Sequence, residues 1–457
     1  MKKISRRSFV RNTAMISAGA MIFPNLIGCK QTKKRPNGKL HIAVIGVGGR
    51  GMANWQHCLQ EKIVAFCDAD PRRAAQAYEK FPKIKQFTDF RVMFDKMADD
   101  IDAVVISTPD HTHFPATMAA MELGKHVYVE KPLAHNIWQL RTLRKAAHHY
   151  GVVTQMGNQG HASNAIRSIK EWYDADTVGD VREVMAWFNG PHFNPKGYFC
   201  KPDKYPPLGE KIPEGVDWNA WLGPAAERPY SHYYLPRFWR SWFDFGTGML
   251  GDWGCHTLDA PFFSLDLGMP KVVECINRTP ENTQFLPDNS KLKFHFDARG
   301  NKPPVTLTWH DGGQKPENRP EWGMKELPSG GMLMIGDKKT IHTGPRPTDN
   351  PRIIMPQEEW DHFKANQPAQ TIARVKNENP VTEWIAAIKG EGPMPGSNFD
   401  YSTRLTEMIL LGVLAQRFNT KIEYDEKNMQ ITNHPELNQY IKEPVRKGWS
   451  YGENLWG

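Results

Sequence analysis

A glycine-rich turn directly after a short apolar segment limits most strongly what this chain can fold into. The apolar residues 40–45 are followed by Gly46-Val47-Gly48-Gly49-Arg50-Gly51, which has the spacing G-x-G-x-x-G. Gly46 permits a tight turn, Gly48 lets the backbone approach a pyrophosphate, and Gly51 lets the next helix pack closely on the sheet. Glycine motifs also arise by chance, so the prediction of a dinucleotide-binding turn depends on the segments around it.

Short apolar segments alternate with amphipathic segments over residues 38–156. Strands are predicted at 40–45, 63–67, 103–107, 127–129 and 152–156. Helices are predicted between them at 72–80, 90–98, 113–123 and 136–150. Strands that alternate with helices of this length form a parallel sheet covered on both faces. Residues 38–156 are therefore predicted to form a Rossmann domain with a doubly wound parallel sheet, which makes the fold class α/β.

The alternation ends after Met156. A helix is predicted at 165–174, strands at 181–188, 272–277, 291–296 and 305–309, a hairpin at 331–335 and 340–343, and helices at 381–388 and 403–418. Residues 189–237 are rich in proline and are predicted to be irregular, and a loop of that length usually covers a site or a subunit contact. We predict an α+β domain with an antiparallel-rich sheet over residues 157–457.

The second predicted strand ends in Asp68, about 20 residues after the glycine turn. A carboxylate at this position accepts hydrogen bonds from the ribose hydroxyls of NAD and repels the 2′-phosphate of NADP. Arg72 and Arg73 follow closely and leave NADP open. NAD is therefore the predicted cofactor. The residues predicted to hold its adenosine and phosphate groups are Gly46, Gly48, Gly49, Arg50, Gly51 and Asp68.

Two further motifs follow predicted strands, at the edge where open parallel sheets bind ligands. One is Thr108-Pro109-Asp110-His111-Thr112-His113, and the other is Glu130-Lys131-Pro132. Contact with the cofactor is predicted for Thr108, Pro109, His113, Glu130 and Lys131. No cluster of carboxylates or cysteines with metal-ligand spacing accompanies the histidines, so no metal is predicted.

Asp252 and His256 stand four residues apart in a glycine-rich segment, residues 246–259. On a helix their side chains share one face. A carboxylate beside an imidazole raises its basicity and orients it, which suits a proton relay. An isolated pair of this kind is more often a surface pair. The prediction therefore also depends on the close backbone approach that the glycines allow and on Lys131 as a separate cation.

Taken together, these motifs resemble the Gfo/Idh/MocA oxidoreductases, a family named for glucose–fructose oxidoreductase and inositol dehydrogenase. The resemblance covers nearly the whole chain after the N-terminal segment. It implies a second domain built on a large open, mostly antiparallel sheet that commonly serves oligomerisation, and hence a homo-oligomer. It also implies that Lys131, Asp252 and His256 are catalytic beside the nicotinamide. In such enzymes the histidine is acid and base for the reacting hydroxyl, the lysine polarises that hydroxyl, and the acid steadies the histidine or the substrate.

A sugar is the predicted substrate, because aromatic residues are dense just before the glycine-rich segment. Aromatic faces stack on the C–H surfaces of pyranoses, while arginine and asparagine bind hydroxyl groups. Substrate contact is predicted for Asn158, His161, Arg237, Trp239, Asp252 and His256. For any single tryptophan, a place in the core is the more frequent outcome.

The N-terminal residues predict export from the cytoplasm. Residues 1–28 carry Arg6-Arg7 ahead of an apolar stretch too short to span a bilayer, which resembles a twin-arginine signal. Leu26-Ile27-Gly28-Cys29 also resembles a lipobox, so Cys29 is a candidate for lipid attachment and residues 29–37 are a linker. The expected location is the periplasm or, with the lipid, the membrane surface. Basic residues of this leader supply most of the net charge of +8, so no nucleic-acid partner is predicted.

Export constrains the expected reaction, because there is little free NAD outside the cytoplasm. We expect an NAD(P)-dependent oxidoreductase with a retained cofactor that acts on a secondary hydroxyl or ketone of a pyranose or glycoside, at C3 by resemblance. One alternative is an NAD-dependent glycosidase that uses transient oxidation and elimination; the resembling glycosidases typically lack the lysine found here as Lys131. Another alternative, a non-catalytic nucleotide- or sugar-binding protein, predicts loss of Lys131, Asp252 or His256.

Overall fold

The structure is a computed structural model that describes residues 38–280 and 282–456. The predicted export signal at 1–28, Cys29 and the linker at 29–37 lie outside the described residues. Two sheets organise the described chain. Within the two described ranges, no helix combines the length and the apolar character needed to cross a membrane.

The first sheet has six parallel strands in the order β3-β2-β1-β4-β5-β6. The strands are β1 (His41–Ile45), β2 (Lys62–Cys67), β3 (Lys85–Phe87), β4 (Ala103–Ile106), β5 (His126–Val129) and β6 (Thr154–Met156). The strand order reverses between β1 and β4, which is the switch point where open sheets bind ligands. The predicted doubly wound parallel sheet is confirmed. The sequence did not predict β3, because two of its three residues are polar and exposed.

Five α-helices connect these strands within residues 38–156: α1 (Arg50–Gln56), α2 (Pro71–Lys80), α3 (Phe90–Met97), α4 (Asp110–Glu122) and α5 (Ile137–Tyr150). The Asp70 side chain caps α2 by accepting a hydrogen bond from the backbone N–H of Arg72. Gly151 has a φ of 62° and ends α5 in the left-handed conformation. The fourth helix begins at Asp110 rather than at the predicted residue 113, so Thr108 and Pro109 form a direct turn from β4 into α4.

The second sheet has nine strands in the order β13-β12-β11-β7-β10-β9-β8-β14-β15. The strands are β7 (Val181–Phe188), β8 (Val272–Thr279), β9 (Asn289–Phe296), β10 (Val305–Asp311), β11 (Gly330–Gly336), β12 (Thr340–Thr343), β13 (Arg352–Ile353), β14 (Lys421–Asp425) and β15 (Gln430–Ile431). β7 and β10 pair in parallel, and the other neighbouring pairs are antiparallel. The prediction of a large, mostly antiparallel sheet is confirmed, as is the hairpin of β11 and β12.

The helices of the second domain are α6 (Asn164–Asp174), α7 (Trp218–Leu222), α8 (Gly248–Thr257), α9 (Asp259–Leu265), α10 (Gln357–Ala365), α11 (Pro380–Lys389) and α12 (Phe399–Phe418). α12 packs on α5 of the first domain and on α8, β8 and β9 of the second. Its buried Glu407 accepts hydrogen bonds from Arg141 of α5 at 2.5 Å and from the Tyr424 hydroxyl at 2.8 Å. The two domains are therefore held together by both apolar packing and a buried ion pair.

Residues 189–237 were predicted to be irregular, and apart from the short helix α7 they are. This segment packs on the first domain. The backbone N–H of Asp217 donates to the carbonyl oxygen of Ala69, just after β2, at 2.9 Å. A ring nitrogen of His111, at the start of α4, lies 2.9 Å from the carbonyl oxygen of Trp221. The segment therefore crosses the edge of the first sheet at which β2 and β4 end.

Candidate active site

A cavity of about 730 Å³ lies between the carboxyl edge of the first sheet and the second domain. Sites for small molecules and cofactors commonly enclose about 300–1,000 Å³. The first domain lines the cavity with residues at the ends of β1, β2, β4 and β5. The second domain lines it with the end of β7, parts of the segment 190–240, and α8. The predicted catalytic residues Lys131, Asp252 and His256 all line it.

The glycine turn brings bare backbone to this cavity. Gly46 has a φ of +81°, and a Cβ on it would lie 2.5 Å from the carbonyl oxygen of Ser107. A Cβ on Gly48 would collide with the backbone of Arg73, and one on Gly51 would collide with the Gly46 carbonyl. Side-chain-free backbone is what close approach of a pyrophosphate requires, so the turn fits a dinucleotide. Gly46, Gly48, Gly49 and Arg50 line the cavity, whereas Gly51 supports the turn from behind.

Asp68 lines the cavity at the end of β2. Its Oδ2 accepts hydrogen bonds from the backbone N–H of Val47 at 2.8 Å and of Gly48 at 3.4 Å. Burial raises the pKa of this carboxyl, although the backbone donors, including that of Asp70, act in the opposite direction. Asp68 therefore holds the glycine turn in place as well as lying where the adenosine ribose is expected.

The two arginines after Asp68 differ in their surroundings. Arg72 Nε donates to Asp70 Oδ1 at 2.6 Å. Arg73 lines the cavity, and its guanidinium lies beside Gly49 of the turn. Arg73 is therefore the cation placed to meet a phosphate on the ribose, and the choice between NAD and NADP stays open.

Thr108, Pro109 and Glu130 line the cavity as predicted for cofactor contacts, but His113 does not. His113 is buried, and its two ring nitrogens each lie 2.8 Å from a backbone carbonyl oxygen, of Pro132 and of Thr108. The imidazole thus ties together the two turns that follow β4 and β5. Its effect on a bound cofactor is through the position of those turns, so direct contact is not supported.

Lys131 and Asp252 form an ion pair across the two domains. Lys131 Nζ lies 2.5 Å from Asp252 Oδ1 and donates at 2.7 Å to the backbone oxygen of the same residue. Burial would raise the pKa of Asp252, but the charges of Lys131 and Arg240 lower it to about 2. β5, which precedes Lys131, lies three strands from β2, which precedes Asp68, and this separation is about 14 Å at the usual spacing of strands. Lys131 and Asp68 thus occupy well-separated parts of one cavity.

His256 lies one helical turn after Asp252, and both side chains face the cavity, as their spacing predicted. Burial lowers the pKa of His256 well below its usual range, and the charges of Lys131 and Arg346 lower it further. Its Nδ1 is buried without a hydrogen-bond partner among the described residues. The expected pairing of Asp252 with His256 is not formed, because Asp252 binds Lys131 instead. The site therefore contains a neutral imidazole whose Nδ1 is not engaged by another described residue.

Asp110 lines the cavity at the start of α4 and was not among the predicted site residues. The hydroxyl of Thr247 donates to Asp110 Oδ2 at 2.8 Å. Burial raises the pKa of this carboxyl to about 6, while the Thr247 hydrogen bond and the charge of Lys131 act in the opposite direction. Its place directly after Pro109 at the end of β4 was the signal that could have found it.

Two more arginines lie in the cavity wall: Arg240, from the predicted aromatic-rich cluster before the glycine-rich segment, and Arg346, which was not predicted. The Arg240 guanidinium lies 4.2 Å from the ring centroid of Trp239, and its Nε lies 4.0 Å from Asp252 Oδ1. The Arg346 guanidinium lies 4.6 Å from the ring centroid of Trp253. Arg346 stands on the loop after β12, far along the chain from α8, and no local pattern marks it.

Asn158 and His161 were predicted to contact substrate, but the structure does not bring them to the cavity. Asn158 Nδ2 donates to Asp259 Oδ2 at 2.9 Å, and His161 Nδ1 lies 3.0 Å from Asp259 Oδ1. The Tyr401 hydroxyl donates to the same carboxylate at 2.5 Å. A buried carboxylate needs such partners, and Asp259 is completely buried. The two residues thus serve a buried polar network that joins the chain after β6 to α9, and the substrate contacts are corrected accordingly.

Arg237 and Trp239, the other predicted substrate contacts, do line the cavity. Phe188 and Trp253 line it too, with their rings stacked at a centroid distance of 3.8 Å. Further aromatic side chains in the wall are Tyr198, Phe199 and Trp221. Several tryptophans lie in the core instead, among them Trp187, Trp242 and Trp309. Some of the aromatic residues therefore form the core, and others form the wall of the cavity.

Within residues 38–280 and 282–456, no group of three or more His, Cys, Asp or Glu side chains is arranged to hold a metal ion. His111 lies against the backbone carbonyls of Trp221 and Phe245 rather than against carboxylates. The described cysteines are free thiols; Cys58, Cys67 and Cys255 are buried, and Cys200 and Cys275 are half-buried.

Two parts of the chain match models of one protein family. Residues 40–158 match the Gfo/Idh/MocA oxidoreductase family, NAD-binding Rossmann fold. Residues 166–311 match the C-terminal alpha/beta domain of the same oxidoreductase family. Together the two matches cover more than half of the chain.

Curated relatives match a smaller part. A glycosyl hydrolase family 109 protein of Shewanella pealeana is 30% identical over 165 residues, which are 30% of this chain and 36% of that protein. A levoglucosan dehydrogenase of Pseudarthrobacter phenanthrenivorans is 29% identical over 120 residues, which are 26% of this chain and 30% of that protein. The chain thus matches roughly a third of the length of these relatives.

Solved structures share the fold over most of the chain. The WlbA dehydrogenase of Bordetella pertussis, in complex with NADH and UDP-GlcNAcA, superposes with a TM-score of 0.56. It is 17% identical, and the match covers 85% of this chain and 99% of that one. At this level of identity the similarity concerns the fold alone.

Proposed function

The chain belongs to the Gfo/Idh/MocA oxidoreductase family, and on this premise we propose that it oxidises or reduces a secondary hydroxyl or ketone of a sugar or glycoside with a tightly retained NAD(H). The main support for the proposal is that Lys131, Asp252 and His256 line the same cavity as the glycine turn. Asp68 favours NAD, and Arg73 leaves NADP open.

The proposed chemistry divides between a base and a cation. A nicotinamide bound near Lys131 supplies the hydride acceptor for the carbon that is oxidised. His256 is neutral and can take the proton of the reacting hydroxyl. Lys131 stabilises the negative charge that develops on the oxygen. Asp252 holds Lys131 in position, since Lys131 Nζ and Asp252 Oδ1 lie only 2.5 Å apart. In the reverse direction His256 returns the proton to the ketone oxygen.

A sugar ring is supported by the walls around these groups. Phe188 offers aromatic surface on one side, with Trp253 stacked behind it, and Trp239 offers its ring on the segment before α8, where Arg240 lies over one of its faces. Pyranose C–H faces pack on such rings, while their hydroxyls need donors such as Arg237. The curated levoglucosan dehydrogenase and glycosyl hydrolase relatives have names that concern sugars, which agrees with this substrate class.

Retention of the cofactor is supported by residues 217–223, which we call the clasp. The clasp is bonded to the end of β2 through the N–H of Asp217, and the Thr88 hydroxyl near β3 lies 3.4 Å from the Asp217 carboxylate. Ala220 and Trp221 of the clasp line the cavity on the side of Asp68. Chain packed at this end of the cavity would slow the release of a bound adenosine.

The clasp is held from outside by the C-terminal part of the chain. Arg446 donates at 2.9 Å to the backbone oxygens of Gly223 and Asn219 and to the Asn219 side chain. With an exported protein, a cofactor enclosed before export would stay available where free NAD is scarce. Export through the twin-arginine pathway, lipid attachment at Cys29 and a homo-oligomeric state are part of this proposal.

A second candidate function is a glycosidase that acts by transient oxidation and elimination. The glycosyl hydrolase family 109 relative favours it. In that reaction the hydride returns to the sugar, so the net change is hydrolysis. Lys131 at the reacting centre favours net oxidation or reduction, because the resembling glycosidases typically lack this lysine.

The test uses protein purified without added nucleotide. Bound dinucleotide is released and identified by mass, and absorbance near the NADH band is followed after addition of a panel of glycosides. Bound NAD that becomes NADH with a glycoside, and is reoxidised by a keto-sugar, is the expected result. Release of aglycone without lasting NADH would replace the proposal with the glycosidase. Absence of nucleotide, or bound nucleotide that no sugar reduces, would contradict it and favour a binding protein.

A further inference from the structure

We propose that the sugar substrate carries an oxyanion, a carboxylate or a sulfate, that binds between Arg240 and Arg346. This inference rests on the proposed function, since it concerns the substrate of the same cavity. It goes further by assigning a charge to that substrate and a recognition role to two arginines that no catalytic step requires.

Arg240 and Arg346 are held on tryptophans at the reacting centre. Arg240 stacks on Trp239 at 4.2 Å, and Arg346 stacks on Trp253, the neighbour of Asp252, at 4.6 Å. Stacking on an aromatic face fixes the position of a guanidinium and leaves N–H groups at its edge to donate. Arg240 uses part of its edge, since one terminal nitrogen donates to the Arg237 carbonyl oxygen at 3.4 Å and Nε lies 4.0 Å from Asp252 Oδ1. A planar, fixed edge of this kind matches the two oxygens of a carboxylate or sulfate better than it matches a single hydroxyl.

The loop that carries Arg346 is itself fixed to the catalytic helix. The Thr257 hydroxyl, one residue after His256, donates to the backbone oxygen of Pro345 at 2.8 Å. Asp349 accepts a hydrogen bond from the backbone N–H of Arg346 at 3.0 Å, so this carboxylate serves the loop backbone. Arg346 is thus positioned relative to His256 by the fold and not by an ion pair.

The carboxylates near these arginines are already committed. Asp252 binds Lys131 at 2.5 Å, and Glu130 accepts from Asn54 at 2.8 Å. Asp110 is bound by Thr247, and burial raises its pKa to about 6. Within the described ranges, no carboxylate lies at ion-pair distance from the Arg346 guanidinium. Asp252 is shared between Lys131 and Arg240, so the wall near Arg240 and Arg346 holds more positive charge than the carboxylates beside it neutralise.

Cofactor phosphates do not account for this charge. The cations near the glycine turn are Arg50 and Arg73, on the first domain, where a pyrophosphate is expected. Arg240 and Arg346 belong to the second domain and flank Asp252 and Trp253. The pKa of His256 reports the same positive field, because after burial the charges of Lys131 and Arg346 are the largest causes of its lowering. An anionic substituent would balance this field.

The experiment compares matched pairs of substrates on the holoprotein. Methyl glucoside and methyl galactoside are each compared with the glycosiduronate that differs only at C6 and with the 6-sulfate. Reduction of the bound cofactor gives kcat/KM for each. We expect the uronate or the sulfate to exceed its neutral parent by about 10- to 100-fold, the range for a hydrogen-bonded charge. The uronate and sulfate arms distinguish the two oxyanions.

Variants separate charge from packing. Arg346→Gln should reduce the ratio of anionic to neutral kcat/KM by about 10-fold or more, while Arg346→Lys should keep most of it. Arg182→Gln, on the exposed side of β7, is the matched control and should leave the ratio unchanged. Equal kcat/KM values for the neutral and the anionic substrate of each pair would contradict the proposed negative charge on the substrate. Such a result would leave the proposed function intact.

The inference stays testable if no sugar reduces the cofactor. Calorimetric binding of methyl glucuronide and of methyl glucoside to the holoprotein then replaces turnover. Preference for the glucuronide that Arg346→Gln removes would support the charged site although the proposed reaction had failed. Binding without such a preference would overturn it.

Discussion

Lys131 Nζ lies 2.5 Å from Asp252 Oδ1, so a residue at the edge of the first sheet is held by a residue on a helix of the second domain. The lysine side chain is 12% exposed and the aspartate 23%. The reacting centre consequently exists only while the two domains are docked. Because each side chain neutralises the charge of the other, removal of either one leaves a poorly solvated charge behind.

Replacement of Lys131 by methionine should abolish most turnover and lower stability. Loss of the cation that stabilises the oxygen of the substrate should reduce reduction of bound cofactor by about 100-fold or more. In this variant Asp252 still has a cationic partner, because Arg240 Nε lies 4.0 Å from Asp252 Oδ1. We therefore expect a loss of about 1–3 kcal/mol in the free energy of unfolding rather than the full cost of an unpaired buried charge. Single-turnover absorbance and denaturant unfolding measure the two effects.

Lys271 provides the control, since its side chain is 72% exposed. Lys271→Met should change neither quantity noticeably. Full activity of Lys131→Met would show that the ion pair is structural only.

Replacement of His256 by alanine should stop proton transfer while the cofactor stays bound. We expect turnover to fall by about 100- to 10,000-fold, as for loss of a general base. Nucleotide content, measured by mass after denaturation, should match that of the unaltered protein. His148→Ala, at an exposed imidazole on α5, is the control. A fall in nucleotide content equal to the fall in turnover would contradict the assignment, because it would place His256 in cofactor binding.

Most strands of the two sheets could be predicted from sequence because they have strong local patterns, whereas the strands β13, β14 and β15 at the two ends of the second sheet were not predicted. The buried strand Ala103–Ile106 is purely apolar, and Val181–Phe188 and Thr340–Thr343 were predicted with their observed bounds. The short strand Lys85–Phe87 was not predicted, because its conformation depends on pairing with β2 rather than on its own residues.

The site was predictable where its residues lie in motifs and not where they meet through the fold. Lys131, Asp252 and His256 stand in recognisable segments and do converge. Arg346 reaches the cavity from a distant loop and carries no local signal. The prediction for His161 was wrong for the opposite reason, since its position after β6 suggested a site, whereas Asp259, about a hundred residues further along the chain, binds it in the core.

Replacement of Asp68 should affect cofactor choice and retention separately. Asp68→Ala removes the carboxylate that repels a 2′-phosphate and also the acceptor for the N–H groups of Val47 and Gly48. We expect weaker retention of NAD and better tolerance of NADP. Asp68→Asn keeps an acceptor oxygen for the turn but loses the charge, so it should shift the preference with less loss of retention. Dissociation constants of apoprotein for both nucleotides test this, and an unchanged preference in both variants would refute the ribose role.

Asp110 should make stability fall as pH rises through weakly acidic values. Its pKa is raised to about 6 in the folded protein from an ordinary value of 3.8, so the folded state binds more protons than the unfolded state between these values. The resulting loss, complete above pH 6, is at most about 3 kcal/mol. Asp110→Asn should flatten the fall in Tm between pH 4.5 and 7, whereas Asp297→Asn, at an exposed carboxyl, should not. Asp311, whose pKa is also raised to about 6, should leave a residual slope.

Release of the cofactor should depend on Arg446, which lies outside the cavity. Its guanidinium holds the clasp through the oxygens of Gly223 and Asn219, and it forms a further ion pair with exposed Glu227 at 3.6 Å. Arg446→Ala removes these bonds without altering a residue that lines the cavity, so the chemical step with cofactor bound should be nearly unchanged. We expect bound NAD to exchange with labelled NAD about 10-fold faster, which corresponds to weakening of one or two charge-assisted hydrogen bonds. Arg182→Ala supplies the control, and exchange as slow as in the unaltered protein would show that retention depends on contacts within the cavity instead of on the clasp.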